Sequence, residues 1–181
     1  MTNARDTDID WLKNLPDDQL LDLFFVHIRD MWAVDGLYFL GIESRFGTES
    51  AVEIDSEVWK ILAKIELKRL LEVFKVDKSR PFESFMTLIK ASGWWLDLED
   101  KTMEYIPDQK KLICTNHKCR VQLTRLKKGL SEFNCKPVRL GYIEAFAKTY
   151  NPNIKVNCIT CPPDEHPEDL WCKWELIMIE K

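Results

Sequence analysis

The chain has 181 residues, of which 45% are hydrophobic and 31% are charged, and its formal net charge is −4. These values are ordinary for a globular protein of one domain. Six cysteines are too few for a disulfide-stapled scaffold, and the sequence shows neither a signal-peptide pattern nor an apolar run of transmembrane length. We therefore expect a cytoplasmic protein without a membrane partner, whose thiols remain reduced.

The first half of the sequence has the pattern of two long helices. Residues 1–13 are polar and predict a flexible lead, and a helix start is predicted at 14–18, where a proline and two acids follow a capping residue. Apolar residues then recur at helical spacing as far as Phe46, and again from Thr48 to about residue 76. Gly47 separates the two segments, so we predict an antiparallel helical hairpin.

The second half mixes strands with shorter helices. Strands are predicted at 102–106, 111–114, 154–159 and 171–179, and helices at 81–91, 120–130 and 137–150. This order predicts an α+β fold, with an N-terminal long helical hairpin and a C-terminal antiparallel sheet of about four strands with helices on one face. We treat 14–181 as a single domain, made of a helical subdomain (14–92) and a cysteine-rich α+β subdomain (93–181).

One cysteine-rich segment has the spacing of metal ligands. Cys158, Cys161, His166 and Cys172 follow the pattern C-x2-C-x4-H-x5-C, one residue longer than a zinc knuckle. Thiolates and imidazoles are the ligands that zinc prefers in tetrahedral sites, so we predict a zinc site on these four residues. An iron–sulfur cluster on four of the six thiols is the less favoured alternative. Core packing of unligated thiols remains a third interpretation.

Two further cysteines are candidates for catalysis. Cys119 and Cys135 are rival metal ligands, and either could be a reactive thiol. Cys119 begins a basic helix, whose N-terminus is expected to lower the pKa of a thiol. On that helix Arg120, Gln122 and Arg125 are predicted to hold a small carboxylate-bearing ligand. The alternative is an ordinary helix with surface arginines.

Acidic side chains occur where the hairpin should have a core. Asp35, Phe39 and Glu43 lie at steps of four on one helix face, and Glu66 lies between apolar residues of the second helix. Carboxylates of this kind hold di-iron centres in some bundles, but the accompanying Glu-x-x-His motifs are missing. We therefore favour buried Glu–Arg pairs for Glu43 and Glu66.

The choice of partners is limited by charge. Residues 109–148 contain ten Lys or Arg against two acids, which together with the knuckle-like spacing would suit nucleic acid. The whole chain is acidic, however, and the last cysteine lies in an apolar strand, so nucleic acid is disfavoured. A small molecule is the partner that we expect. The pair Trp94–Trp95 is a candidate for a pocket wall, a homodimer contact or core packing.

Several motifs carry a resemblance to known families. They are Arg29-Asp-Met-Trp32, Cys119-Arg-Val-Gln122, Cys135-Lys-Pro-Val, Cys158-x-x-Cys161-Pro-Pro-Asp-x-His166-Pro and Trp171-Cys172-x-Trp174. Over about residues 16–177 the chain resembles an uncharacterised family from anaerobic bacteria and archaea. Its C-terminal layout is similar, more distantly, to the L-2-amino-thiazoline-4-carboxylic acid hydrolase-like proteins, and weakly to vinyl-reductase-type ligand-binding domains.

The hydrolase resemblance implies an α+β domain that hydrolyses a small sulfur- or nitrogen-containing acid, with Cys119, Cys135 and Cys172 in its site. The chain departs from that pattern by its Cys158-x-x-Cys161 segment and the loop that follows, which favour a metal site. We therefore expect a small-ligand protein with a cysteine-rich, zinc-binding site that acts as such a hydrolase. The alternative is a non-enzymatic ligand-sensing or interaction domain with a structural metal or unligated thiols.

Overall fold

The computed structural model describes residues 4–77, 81–98 and 100–179. Helix α1 (Ala4–Lys13) occupies most of the predicted flexible lead, and residues 1–3 of that lead lie outside the described residues. Asn14, expected to cap the next helix, instead donates its side-chain amide to the carbonyl of Asp10 at 2.6 Å. Among the described helices, none is both long and apolar enough to cross a membrane.

Helix α2 (Asp17–Val73) is interrupted at Gly47, where φ is 86° and ψ is 163°. Essentially only glycine adopts these angles, so the chain can reverse at this residue. Across the reversal the indole N–H of Trp59 donates to Asp35 at 3.0 Å, and the rings of Trp32 and Trp59 lie 5.2 Å apart. The predicted hairpin is therefore confirmed, with a first arm at 17–46 and a second arm at 48–73.

The remaining elements build the predicted sheet and its covering helices. They are α3 (Pro81–Ala91), β1 (Asp100–Ile106), β2 (Lys111–Lys118), α4 (Arg120–Lys127), α5 (Lys136–Tyr150), β3 (Ile154–Thr160) and β4 (Cys172–Met178). The strand order is β1-β2-β4-β3, and every neighbouring pair is antiparallel. The α+β fold with a four-stranded sheet is thus confirmed.

Helix α5 lies between the hairpin and the sheet. On one side the Tyr142 ring meets Trp59 of the second arm edge-on at 5.5 Å, and on the other side α5 packs on β3. One face of the sheet buries Leu112, Trp174 and Leu176 completely. The buried residues of the hairpin, α3, α5 and the sheet form one connected cluster. The N-terminal ends of α4, α5 and β4 meet at one edge of this hydrophobic core, and Cys119, Cys135 and Cys172 lie at these three ends.

Candidate ligand pocket and thiol cluster

A cavity of about 520 Å³ opens between the first arm and α4. Its walls are largely apolar, and its charged residues come from both elements. The lining residues are Arg29, Trp32, Ala33, Asp35, Gly36, Leu37, Phe39, Leu40, Asp55, Arg120, Val121, Thr124, Arg125, Lys128 and Phe133. This volume is within the usual range for pockets that bind small organic molecules.

A smaller cavity of about 50 Å³ lies directly behind the first. The two share six lining residues, among them Trp32, Asp35 and Asp55. The inner cavity adds Arg139, the rings of Trp59 and Trp94, and Cys119, Cys135 and Cys172. The pocket therefore leads from an open apolar mouth to an arginine, two carboxylates and three thiols.

Arg139 is surrounded by aromatic rings at the inner end. Its guanidinium carbon lies 4.8 Å from the ring centre of Trp59, 5.4 Å from that of Trp32 and 5.8 Å from that of Trp94. These contacts stabilise the cation. They do not use its N–H groups, and Nη1 of Arg139 is buried without a hydrogen-bond partner among the described residues, as is Nε1 of Trp32.

Asp35 and Asp55 form a hydrogen-bonded pair on the wall of both cavities. Burial raises the pKa of Asp35, and burial together with the neighbouring charge of Asp35 raises the pKa of Asp55 to about 7. Two carboxylates in contact cannot both ionise readily, so the pair shares one proton. The hydrogen bond between them lowers the pKa of Asp35 and raises the pKa of Asp55, which makes Asp55 the donor and the holder of the shared proton.

Of the three predicted ligand-binding residues, Arg120 is the one whose geometry suits the role. It lines both cavities, and its Nη1 lies 2.8 Å from Asp97. Arg29 binds the same carboxylate at 3.1 Å. Hydrogen bonds from Arg29 and Arg120 hold the pKa of Asp97 below its usual range. Asp97 thus fixes both arginines at the mouth of the pocket.

Gln122 and Arg125 are engaged within the fold. The side-chain amide of Gln122 donates to the carbonyl of Phe133 at 3.0 Å and accepts its N–H at 3.2 Å, and Gln122 lines neither cavity. Arg125 lines the outer cavity, but two of its nitrogens bind Glu43 at 2.8 and 2.9 Å. The expected Glu–Arg pair is therefore present for Glu43.

Glu66, the other acid of the hairpin, has no arginine partner among the residues that the structure describes, so the Glu–Arg pair expected for it is not seen there. It accepts the backbone N–H of Gly93 at 2.6 Å and the hydroxyl of Tyr142. Both donors come from elements that pack on the second arm. Glu66 therefore anchors the turn after α3 and the middle of α5 to the hairpin, and the two hairpin glutamates do not form a carboxylate cluster.

Five cysteines converge at the inner end of the pocket. The thiol of Cys161 is hydrogen-bonded to those of Cys135 and Cys172, and Cys119 and Cys158 lie close enough for their charges to affect these neighbours. We call these five residues the thiol cluster. Cys119 and Cys135 precede α4 and α5 as their N-terminal caps, Cys158 lies in β3, Cys161 follows that strand, and Cys172 begins β4.

The loop after β3 is held against the start of α5 by Lys136. Its backbone N–H donates to the carbonyl of Pro162 at 2.9 Å, and its ammonium binds Asp164 at 2.8 Å. Asp164 in turn accepts the N–H of Cys161 at 3.2 Å. These bonds bring Cys161 to Cys135, a neighbour that the spacing of the cysteines does not indicate.

His166 is not part of the thiol cluster. Its ring packs on Trp171 at 4.8 Å, Nε2 lies 3.5 Å from Glu132, and Nδ1 lies 2.9 Å from the carbonyl of Pro167. The predicted ligands Cys158, Cys161, His166 and Cys172 are therefore not brought together as one set. Within the ranges that the structure describes, no group of three or more His, Cys, Asp or Glu is arranged to hold a metal ion.

Burial controls the acidity of the thiols. It raises the pKa of Cys119 to about 12, with the nearby Cys135 adding to the effect, so the lowered pKa expected from the start of a basic helix is wrong. Cys172 is the exception. A hydrogen bond from Cys161 lowers the pKa of Cys172 to about 7 against the opposing effect of burial, and the charge of Arg139 helps. Cys161, as the donor, has a raised pKa.

No curated protein and no solved structure matches the chain. A family model does, and it covers residues 13–178, which is most of the sequence. Its description is a family of unknown function, DUF6125. This agrees with the expected resemblance to an uncharacterised family, and the chain belongs to the DUF6125 family.

Proposed function

We propose that this chain binds a small, partly apolar carboxylic acid in the pocket between the first arm and α4. The observation that carries the proposal is the pair of buried donors, Nη1 of Arg139 and Nε1 of Trp32, that have no partner among the described residues. A buried donor without an acceptor costs about 1–3 kcal/mol. A ligand oxygen that reaches both groups would remove this cost.

The remaining lining suits the rest of such a ligand. Phe39 and Phe133, with rings 4.8 Å apart, offer an apolar surface toward the mouth. At the inner end Arg139 supplies a positive charge. Because Asp35 and Asp55 share one proton, a ligand carboxylate would meet one negative charge there and not two. The acid would therefore enter with its carboxylate toward Arg139 and its apolar part on the two phenylalanines.

Hydrolysis of the bound acid is a second candidate function, and the Asp35–Asp55 pair favours it. In this reaction the oxygen of water adds to an electrophilic carbon of the ligand while ionised Asp35 takes the proton that water releases. Protonated Asp55 then gives its proton to the leaving nitrogen or sulfur as the bond from carbon breaks. One base and one acid in contact with the same pocket are what such a step needs. Sensing of the ligand without reaction is the alternative.

A pocket-filling substitution tests both functions. A Cβ added at Gly36 meets nothing within 4 Å, so Gly36→Leu would place its side chain in the outer cavity without disturbing the core. We expect the variant to fold, since leucine favours helix over glycine by about 0.8–1 kcal/mol. Tryptophan fluorescence titrations with thiazoline, thioether and aromatic carboxylic acids should show binding to the wild type that Gly36→Leu loses.

The control is Gly41→Leu, on the same arm but outside this pocket, which should bind as the wild type does. Mass spectrometry of the incubated acids separates the two functions, because only a hydrolase adds water to its ligand. If no acid of the panel binds, or if Gly36→Leu binds as tightly as the wild type, the proposal is wrong.

We also propose that the thiol cluster holds zinc, in the reducing cytoplasm that we expect for the protein. The contact of Cys135, Cys161 and Cys172 supports a thiolate set, with Cys119 or Cys158 as fourth ligand. Thiolates are ligands that zinc prefers, and a set of four thiolates is typical of structural sites. The ligands would have to lose their protons and move together. Compared with the ligands predicted from the spacing of the sequence, this set contains Cys135 in place of His166.

Elemental analysis tests this set directly. Cys161→Ser should lower the zinc content of the purified protein, whereas His166→Gln should leave it unchanged. Cys114→Ser is the matched control, because Cys114 is a buried cysteine of β2 that lies near Cys172 but is not one of the hydrogen-bonded thiols of the cluster. A protein that contains no zinc, and whose six thiols react before and after chelation alike, would contradict the metal proposal but not the ligand pocket.

A further inference from the structure

The second arm carries an apolar stripe on its solvent side. Ile54, Val58, Ile61 and Ile65 are exposed to 43%, 53%, 59% and 41%, respectively. Their spacing of four, three and four residues places them on one side of the helix. The opposite side of this arm buries Trp59, Ala63 and Leu67. Four large apolar side chains in a row are more than scattered surface residues, and such a patch is typical of an interaction site.

Charged residues beside the stripe change sign along the helix. Glu53 and Glu57 lie beside its first half, and Lys64 and Lys68 beside its second half, and all four are exposed. Helical spacing puts these four on the same flank of the stripe. Within the part of the chain that the structure describes, no ion pair involves any of them.

We propose that a second copy of this chain docks on the stripe, with the two second arms antiparallel. A two-fold axis midway between Val58 and Ile61 places Val58 against the partner's Ile61. The same axis places Ile54 against the partner's Ile65. The stripe then pairs with itself over its whole length, as the interface of a symmetric dimer must.

The charges favour this arrangement over the parallel one. In the antiparallel pair Glu57 lies beside the partner's Lys64, and Glu53 beside the partner's Lys68. A parallel pair would place the two charged flanks on opposite sides of the interface, where no glutamate would meet a lysine of the partner. Flanking charges of this kind select the partner and the orientation of paired helices. The partner with the required pattern is the chain itself.

The proposed dimer is independent of the ligand pocket. The four stripe residues line neither of the two cavities. A dimer that forms through them would leave the mouth between the first arm and α4 accessible. The oligomeric state and ligand binding can therefore be measured and can fail separately.

Charge reversal with sedimentation velocity tests the pairing. Glu53→Lys/Glu57→Lys places only positive charges on the flank, and Lys64→Glu/Lys68→Glu only negative ones, so each variant alone should associate on the order of tenfold or more weakly than the wild type. An equimolar mixture of the two should form a heterodimer. The variant with all four substitutions has the wild-type pattern reversed and should again form a homodimer.

The apolar contact is tested by Val58→Glu, which should weaken the dimer. Its control is Ile159→Glu on β3, because Ile159 is exposed to 54%, almost the same as Val58, but lies away from the stripe. Circular dichroism confirms that each variant is folded. A wild type that is monomeric up to high micromolar concentration overturns the proposal, as does a dimer that Val58→Glu and both charge variants leave unchanged.

Discussion

Replacing Glu43 with alanine is expected to lower the free energy of unfolding by about 2–4 kcal/mol. The substitution leaves the guanidinium of Arg125, whose side chain is 7% exposed, without its two charged bonds to the first arm. Removal of one partner of a fully buried pair costs about 3–5 kcal/mol. The effect should be somewhat smaller here, because the outer cavity brings water near Arg125. Urea unfolding at neutral pH measures the loss.

Replacing Arg125 with methionine should cost less, because Glu43 then keeps the hydrogen bond that the hydroxyl of Thr48 donates at 2.7 Å. Replacing both partners, as in Glu43→Gln combined with Arg125→Met, leaves neither charge buried alone and should therefore also be more stable than Glu43→Ala. The control is Glu144→Ala, which removes an exposed pair with Lys148 at 3.5 Å and should cost no more than about 0.5 kcal/mol. Equal losses for Glu43→Ala and Glu144→Ala would show that the Glu43–Arg125 pair does not anchor α4 to the hairpin.

The hairpin was predictable because its signals are local. Apolar residues at helical spacing define both arms, and a single glycine at position 47 supplies the positive φ that the reversal needs. The strands were equally clear from the alternation of apolar and polar residues, and the structure joins β1 to β2 by a short 3₁₀ turn at Pro107–Gln109. An arginine partner for Glu43 followed from chemistry, since a glutamate on a buried helix face requires a cation, but the sequence did not indicate that this partner is Arg125.

The candidate site was harder to predict, because tertiary contacts create it. The spacing of Cys158, Cys161, His166 and Cys172 is compatible with one ion, yet Glu132 and Trp171 take the ring of His166. Cys135 joins Cys161 instead, through bonds of Lys136 that no spacing reveals. Burial also reversed the expected acidity of Cys119, although its place at the start of a basic helix was predicted correctly.

Asp55 and Arg139 were missed for a related reason. In the sequence Asp55 is one of several acids of an amphipathic helix, and Arg139 is one of many basic residues between 109 and 148. Only the packing of α5 on the hairpin brings Arg139 to the aromatic rings and to the two carboxylates. The usable signal was the tryptophans, since seven in one chain indicate that several rings share a core or line a pocket, and three of them line the inner cavity.

The contribution of Asp55 to the stability of the protein should fall as the pH rises from about 4 to 7. Unfolded Asp55 releases its proton near its ordinary pKa of 3.8, but burial beside Asp35 raises the pKa of Asp55 to about 7 in the folded protein. Between these values the folded state holds a proton that the unfolded state has lost. The contribution of Asp55 to the free energy of unfolding therefore decreases through this window and reaches its lower level above the folded pKa.

Asp55→Asn isolates this contribution, because its amide donates to Asp35 as the protonated acid does and does not ionise. We expect the advantage of the variant over the wild type in free energy of unfolding to be larger at pH 8 than at pH 5 by on the order of 2–4 kcal/mol. Urea unfolding at the two pH values measures both numbers. Glu49→Gln, at an exposed acid of the same arm that takes no part in the proposed dimer contact, is the control and should keep the wild-type pH dependence. If Asp55→Asn instead keeps the full dependence, Asp55 is not the residue that carries the shared proton, and the assignment of acid and base in the pocket must be reversed or abandoned.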